Sequence, residues 1–269
     1  MTAIQSSAKD SSFVGGIVLT AHASAHTKAE TYTELISSTN ADSTWVSVVL
    51  QRGNTSAATY LVDIGIGAAS SEVVKIPDLI FAAGGSTEPG FYVYEFPLVI
   101  PSGSRLSALC QSSTGSATCR ASIHVGFDPH PFVTGDTVEA FGVNAGTTGA
   151  VALDDSGIAG TYGDWTEIED SLANGINGFS FALSHANTTN VATRYLMFGI
   201  ATGAAESESE IIDEVMASNN SALDTYCPGV SPYLPLSIGS GVRVSGRYKT
   251  IDNASANTYE MALYGLRTA

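Results

Sequence analysis

Apolar and polar positions alternate in short runs along this chain. GFYVYEFPLVI (from Gly90) and ATCRASIHVGF (from Ala117) alternate clearly, as strands with one buried face do. Similar runs are GGIVLTAHA, STWVSVVLQ, ATYLVDIGI, SEVVKI and SRLSALCQ, with Gly, Ser, Asn or Pro between them. About eight short strands in about 115 residues suit a β-sandwich or jelly roll. No segment carries a clean helical period over about 12 residues. Glu206–Asn220, ESESEIIDEVMASNN, reads as a short helix or as a strand after an acidic loop.

The pattern repeats. TYTELI (from Thr31), YLVDIGIGAASSE (from Tyr60), FPLVIPSGSRLS (from Phe96) and ASIHVGF (ending at Phe127) recur in order as DWTEIE (from Asp164), YLMFGIATGAAESE (from Tyr195), LPLSIGSGVRVS (from Leu234) and MALYGL (ending at Leu266). The offsets are 133, 135, 138 and 139, too regular for chance. The expected fold is therefore all-β, two tandem β-sandwich (jelly-roll-like) domains of related sequence. Their expected bounds are 13–128 and 137–269, each long enough for its own core. Residues 129–136 read as a short stiff linker because Pro fixes φ. Residues 1–12 read as a flexible polar arm.

Composition narrows the function. Charged residues make up 14% of 269 residues, and the formal net charge is −15. Lys and Arg total 11 and do not cluster, which argues against nucleic acid and against an anionic membrane. There is no apolar run of about 18 residues to span a bilayer, and the first residues do not read as a secretory signal. Without one, the N-x-Ser/Thr matches at Asn54, Asn187, Asn219 and Asn253 carry little weight. The three cysteines are Cys110, Cys119 and Cys227. A two-residue turn at Thr114-Gly115 would place Cys110 opposite Cys119 at a spacing that suits a disulfide; a longer turn would leave two buried thiols.

Candidate chemistry is sparse. GIGAAS after YLVDI matches a dinucleotide fingerprint weakly, with Ser70 at the third glycine and no βαβ unit around it. His22 and His26 would share one strand face, with no third metal ligand nearby; His124, His130 and His185 are scattered. Glu206, Glu208, Glu210, Asp213 and Glu214 form an acidic cluster without EF-hand spacing. Asp154-Asp155 would point to opposite faces of a strand. Thr33-Glu34 and Thr166-Glu167 open strands, as do Arg105 and Arg243, so Glu34–Arg105 and Glu167–Arg243 are expected ion pairs. Trp45, Trp165 and 11 Tyr are available to stack on sugars. No catalytic, cofactor or metal site is assigned, and the expectation is a non-enzyme.

YLVDIGIGAASSEVVKIPDLIF followed by FPLVIPSGSRLSALCQSS resembles a module of tailed-bacteriophage virion proteins, which carry similar V-D-I-G-x-G-A-x-x-S-E and Pro-Leu-x-Ile-Pro-x-Gly-x-Arg stretches. The second copy departs from it: Phe198 replaces Asp63 and Gly239 replaces Pro101. The resemblance implies a jelly-roll-like fold and a structural accessory role on the virion exterior, as capsid decoration, head spike or tail appendage. It also implies a homo-oligomer, with a trimer expected, and other virion proteins as partners. Assembly would take place in the host cytoplasm. The alternative is a glycan-binding receptor-recognition module of a tail or spike; a polysaccharide depolymerase is a third reading.

Overall fold

The computed structural model describes residues 4–7, 15–53, 58–83, 91–154, 156–185, 194–220, 225–227, 229–251 and 259–268. No helix occurs among the described residues. The strands of the first half are β1 (Ile4–Ser6), β2 (Ile17–Thr20), β3 (Thr33–Ile36), β4 (Trp45–Arg52), β5 (Ala58–Ile66), β6 (Val73–Ala83), β7 (Phe91–Phe96), β8 (Leu106–Ser112) and β9 (Thr118–Gly126). Those of the second half are β10 (Thr137–Phe141), β11 (Val143–Asn144), β12 (Gly149–Ala152), β13 (Thr166–Glu169), β14 (Gly178–His185), β15 (Arg194–Thr202), β16 (Ser209–Asn220), β17 (Thr225–Cys227), β18 (Val244–Thr250) and β19 (Tyr259–Arg267).

Each half is an antiparallel β-sandwich. The first packs β1-β9-β4-β7, with β2 also on β9, against β3-β8-β5-β6. The second packs β10-β19-β12-β11, with β14 also on β19, against β13-β18-β15-β16-β17. β3-β8-β5-β6 and β13-β18-β15-β16 have the same order, as the repeat implies. The alternation does the folding: on β4, Val46, Val48 and Leu50 are buried, and on β9 Cys119, Ala121, Ile123 and Val125 are buried. Glu206–Asn220 is strand rather than helix from Ser209 on, because β15 and β17 take up both of its backbone edges.

The expectation of a loose N-terminal arm is corrected here. Ile4–Ser6 of the supposed free arm pairs with Gly126–His124 at the edge of β9. Ser7 N donates to Ile123 O, and Gln5 bridges Ser38 O and Asn40 N. In the second half β10 pairs with β19 in the same way, so the repeat begins with this segment. Two or three ladder bonds hold even a polar run once an edge strand is there to receive it.

The linker and the separate cores also differ from expectation. The segment that joins the halves is pinned: Val99 N donates to Gly135 O, Gly135 N to Pro97 O, and Asp136 N to Arg267 O. The buried apolar residues form one cluster that runs through both sandwiches. At the junction β6 meets β10 and β14. The Tyr264 ring stands edge-on to Tyr94 at 5.3 Å, and Tyr92 donates to Leu183 O at 2.8 Å. Apolar side chains of each half are thus buried partly by the other.

Asp63 explains why the motif around it decays in the second copy. It sits opposite a bulge in β6. Its carboxylate accepts from Lys28 Nζ at 2.7 Å and from Asp78 N at 2.8 Å, and Lys28 also reaches Asp78 Oδ1 at 2.8 Å. Burial raises the Asp63 pKa, against the pull of Lys28 and the Asp78 N–H. Burial opposes the Lys28 charge, yet the two carboxylates raise its pKa. The group holds Asp78 at φ 48°, and the Asp78 carbonyl faces the second half. At the equivalent place in β15, Phe198 stacks on Tyr248 instead.

Candidate functional site

The expected ion pairs form, and each gains a partner. Arg105 Nε lies 2.8 Å from Glu34, and its Nη1 lies 2.7 Å from Glu72. Arg243 Nε lies 2.8 Å from Glu167, and its Nη1 lies 2.8 Å from Glu208. Glu72 and Glu208 end GAASSE and GAAESE, so the repeat held the signal for the second partner. The Arg243 hydrogen bond pulls the Glu208 carboxyl below its ordinary range; partial desolvation works against the same effect at Glu72, where Arg105 prevails. These triads tie strand ends together, and Arg105 and Glu72 each edge an open surface depression.

Most other sequence candidates are also occupied. Glu210 pairs with Arg247 at 2.8 Å and Glu214 with Lys249 at 2.6 Å, so cations already answer much of the acidic segment. Arg247 in turn lies 4.1 Å from the ring centroids of both Tyr162 and Trp165. No group of three His, Cys, Asp or Glu placed to hold a metal occurs among the described residues. His22 and His26 follow β2 rather than lying on it, so they share no strand face. His22 Nδ1 accepts from Ser24 N, and His26 Nδ1 meets Thr148 Oγ1 at 3.0 Å. His124 Nδ1 meets Ser6 Oγ at 2.8 Å. GIGAAS is the turn between antiparallel β5 and β6, with Gly67 at φ 124°.

No hairpin forms at Thr114-Gly115, so the disulfide alternative is not realised and the alternative of two buried thiols is. β8 and β9 lie in opposite sheets, and the segment between them crosses the end of the sandwich. Cys110 and Cys119 are both buried free thiols. They meet in the core, where the hydrogen bond with Cys110 and burial raise the Cys119 pKa. Asp155, Asn54, Asn187 and Asn253 lie outside the described residues, as do the side chains of His185, Asn219 and Cys227.

Two concavities lie at the junction. The larger, about 1,050 Å³, includes His26, Thr148, Glu169 and Glu260 in its lining. Glu260 is 8% exposed; burial raises its pKa, against the Ala150 N–H and the Ser184 hydroxyl. Glu169 is raised by burial and by its acidic neighbours Asp170, Glu167 and Glu139.

The smaller concavity, about 280 Å³, is aromatic. Trp45, Glu95, Phe96, Pro97, His130, Phe132, Pro232 and Tyr233 line it. Trp45 opens β4, and its indole lies across Gly126 of β9: a Cβ there would collide with Trp45 Nε1. Gly126 is thus the condition for a flat indole on the outer face. Glu95 stands on β7 opposite Ser47, with Val93 and Phe91 on the same face. His130 and Phe132 come from the joining segment, with ring centroids 5.2 Å apart, and Phe132 lies 5.6 Å from Tyr233. Burial pushes the Tyr233 hydroxyl up to about 12. The Phe132 N–H donates to His130 Nδ1 at 3.3 Å. Burial lowers the His130 pKa, though Glu95 works the other way. The neutral ring therefore carries its proton on Nε2. The sequence offered Trp45, and Tyr233 only as one of 11 tyrosines, for this role; Phe132 and Glu95, which lie far from Trp45 in the chain, carried no signal.

No protein-family model and no curated protein matches the chain. Among solved structures it is similar to PNGF-II, with a TM-score of 0.42 and 9% identity over 94% of this chain; it spans 65% of that structure's length. It is similar to PNGase F, a glycosylasparaginase from Flavobacterium meningosepticum, with a TM-score of 0.40 and 9% identity, covering 100% of this chain and 97% of that one. It is also similar to the tandem CBM22-1-CBM22-2 domain of Paenibacillus barcinonensis Xyn10C, with a TM-score of 0.26 and 8% identity over 99% and 91% of the two chains. The expectation of a non-enzyme is corrected to this extent: PNGase F, one of the structures the chain is similar to, is an enzyme. At these scores the likenesses transfer no activity and no residue to this chain.

Proposed function

We propose that this chain is a saccharide-recognition protein whose ligand sits in the aromatic pocket at the junction of the two sandwiches. The observation that carries the reading is the convergence of Trp45, Phe132 and Tyr233 with the Glu95 carboxylate around one cavity. Sugar rings present C–H faces that stack on aromatics and hydroxyls that donate to carboxylates. At about 280 Å³ the cavity falls just below the roughly 300–1,000 Å³ usual for ligand sites, so it suits one ring rather than a chain. A glycan array with wild type and Trp45→Ala tests it. Binding that Trp45→Ala abolishes supports the reading, and a blank array for the folded wild type removes it.

A second reading is supported by the V-D-I-G and Pro-Leu-x-Ile-Pro stretches that resemble bacteriophage virion modules. In it the chain is a structural accessory of a virion exterior and assembles through protein contacts as a homo-oligomer, a trimer. Phe91 is 59% and Val93 36% exposed on the outer face of β7, apolar surface of the kind such contacts use. The charge of −15 per chain opposes self-association, so rising salt should strengthen it. Sedimentation equilibrium at low and high salt tests this. A monomer under both conditions at high concentration, and absence of the chain from purified particles, would remove it.

A further inference from the structure

We propose that the pocket selects a sugar carrying a protonated amine, an amino sugar with a free ammonium group, over neutral and acidic sugars. This rests on the saccharide reading and adds the charge of the ligand.

The argument is one of complementarity. Trp45, Phe132, Tyr233 and His130 present ring surface to the cavity, and Glu95 stands at its wall. With His130 neutral, Glu95 is the one formal charge among the residues that line it. A cation placed there gains the carboxylate and the negative faces of several rings together. A carboxylate-bearing sugar would instead face Glu95 directly, and no Lys or Arg lines the pocket to offset the repulsion. The protein's net charge of −15 biases the same way at longer range. A neutral sugar keeps the stacking but lacks the ion pair. Glu95 also lacks an intramolecular cation within ion-pair distance among the described residues. The triad glutamates Glu34, Glu72, Glu167 and Glu208 are all held by arginines.

Calorimetric titration of the full chain with glucosamine, glucose, N-acetylglucosamine, glucuronate and choline tests the proposal. The expected result is glucosamine about tenfold tighter than glucose or N-acetylglucosamine, with glucuronate weakest. Glu95→Gln is isosteric and partly exposed, so it should fold. It should remove the preference, bringing glucosamine to the level of glucose measured on the same variant. Equal binding of glucose and glucosamine, or an unchanged preference in Glu95→Gln, would overturn the amine selectivity while leaving saccharide recognition standing. Choline binding with no sugar binding would overturn the saccharide reading and leave a plain organic-cation site. No binding of any probe would overturn both.

Discussion

The Tyr264 hydroxyl in the second sandwich donates a 2.8 Å hydrogen bond to the Asp78 carbonyl in the first. The same oxygen accepts the Ile80 N–H at 2.8 Å, so one buried side chain closes two backbone positions of β6 across the junction. Tyr264→Phe should therefore leave a buried N–H and a buried carbonyl unpaired, at a cost of about 1–3 kcal/mol. Urea unfolding should show the loss as a lower midpoint in a single transition. Two separated transitions in wild type would mean that the halves unfold independently, against the shared core.

Gly126→Ala should displace the Trp45 indole, because the new methyl group would occupy its place. The overlap is with a ring packed flat on backbone, so relief needs a rotamer change at a cost of about 1–3 kcal/mol. Tryptophan fluorescence should shift toward that of an exposed indole, and ligand binding in the aromatic pocket should fall. Unchanged fluorescence would place Trp45 elsewhere.

The titrating carboxylates pull in opposite directions with pH. Glu72 and Glu208 are held below the ordinary value of 4.5. Their stabilisation is present above 4.5 and is lost as pH falls through their folded values. Glu260 is raised above 4.5, so its contribution is present below 4.5 and is lost as pH rises through its folded value. Glu260→Gln should gain stability relative to wild type between pH about 4.5 and neutrality. Glu72→Gln should lose stability above 4.5 and match wild type in strong acid. Denaturant midpoints across pH check both signs, and parallel curves for wild type and Glu260→Gln would contradict the first.

Cys110 and Cys119 are buried in facing sheets, and the Cys119 thiol is pushed far toward its neutral form. A thiolate is the reactive species, so neither should react with an aromatic disulfide reagent in the native Cys227→Ser variant. Both should react at once in denaturant. Fast reaction in native buffer would show that the sandwich opens at that end.

How much of this was legible in the sequence depends on the range of each signal. Strand alternation and turn residues act between neighbours, so the all-β class and the strands around Val46–Leu50 and Ile123–Val125 could be read directly. The Glu34–Arg105 and Glu167–Arg243 pairs were readable because the repeat presented each pair twice. By contrast, the edge pairing of Ile4–Ser6 depends on β9 having a free ladder edge, and polar composition alone suggested a loose arm. The Cys110–Cys119 relation depends on whether the chain turns back or crosses the sandwich after Ser112, a choice that packing of the two sheets makes. The aromatic pocket joins Trp45, Phe132 and Tyr233 from segments that share no local pattern. Period and propensity fix what each strand buries, whereas only the stacking of the sheets and the docking of one sandwich on the other bring those three rings around Glu95.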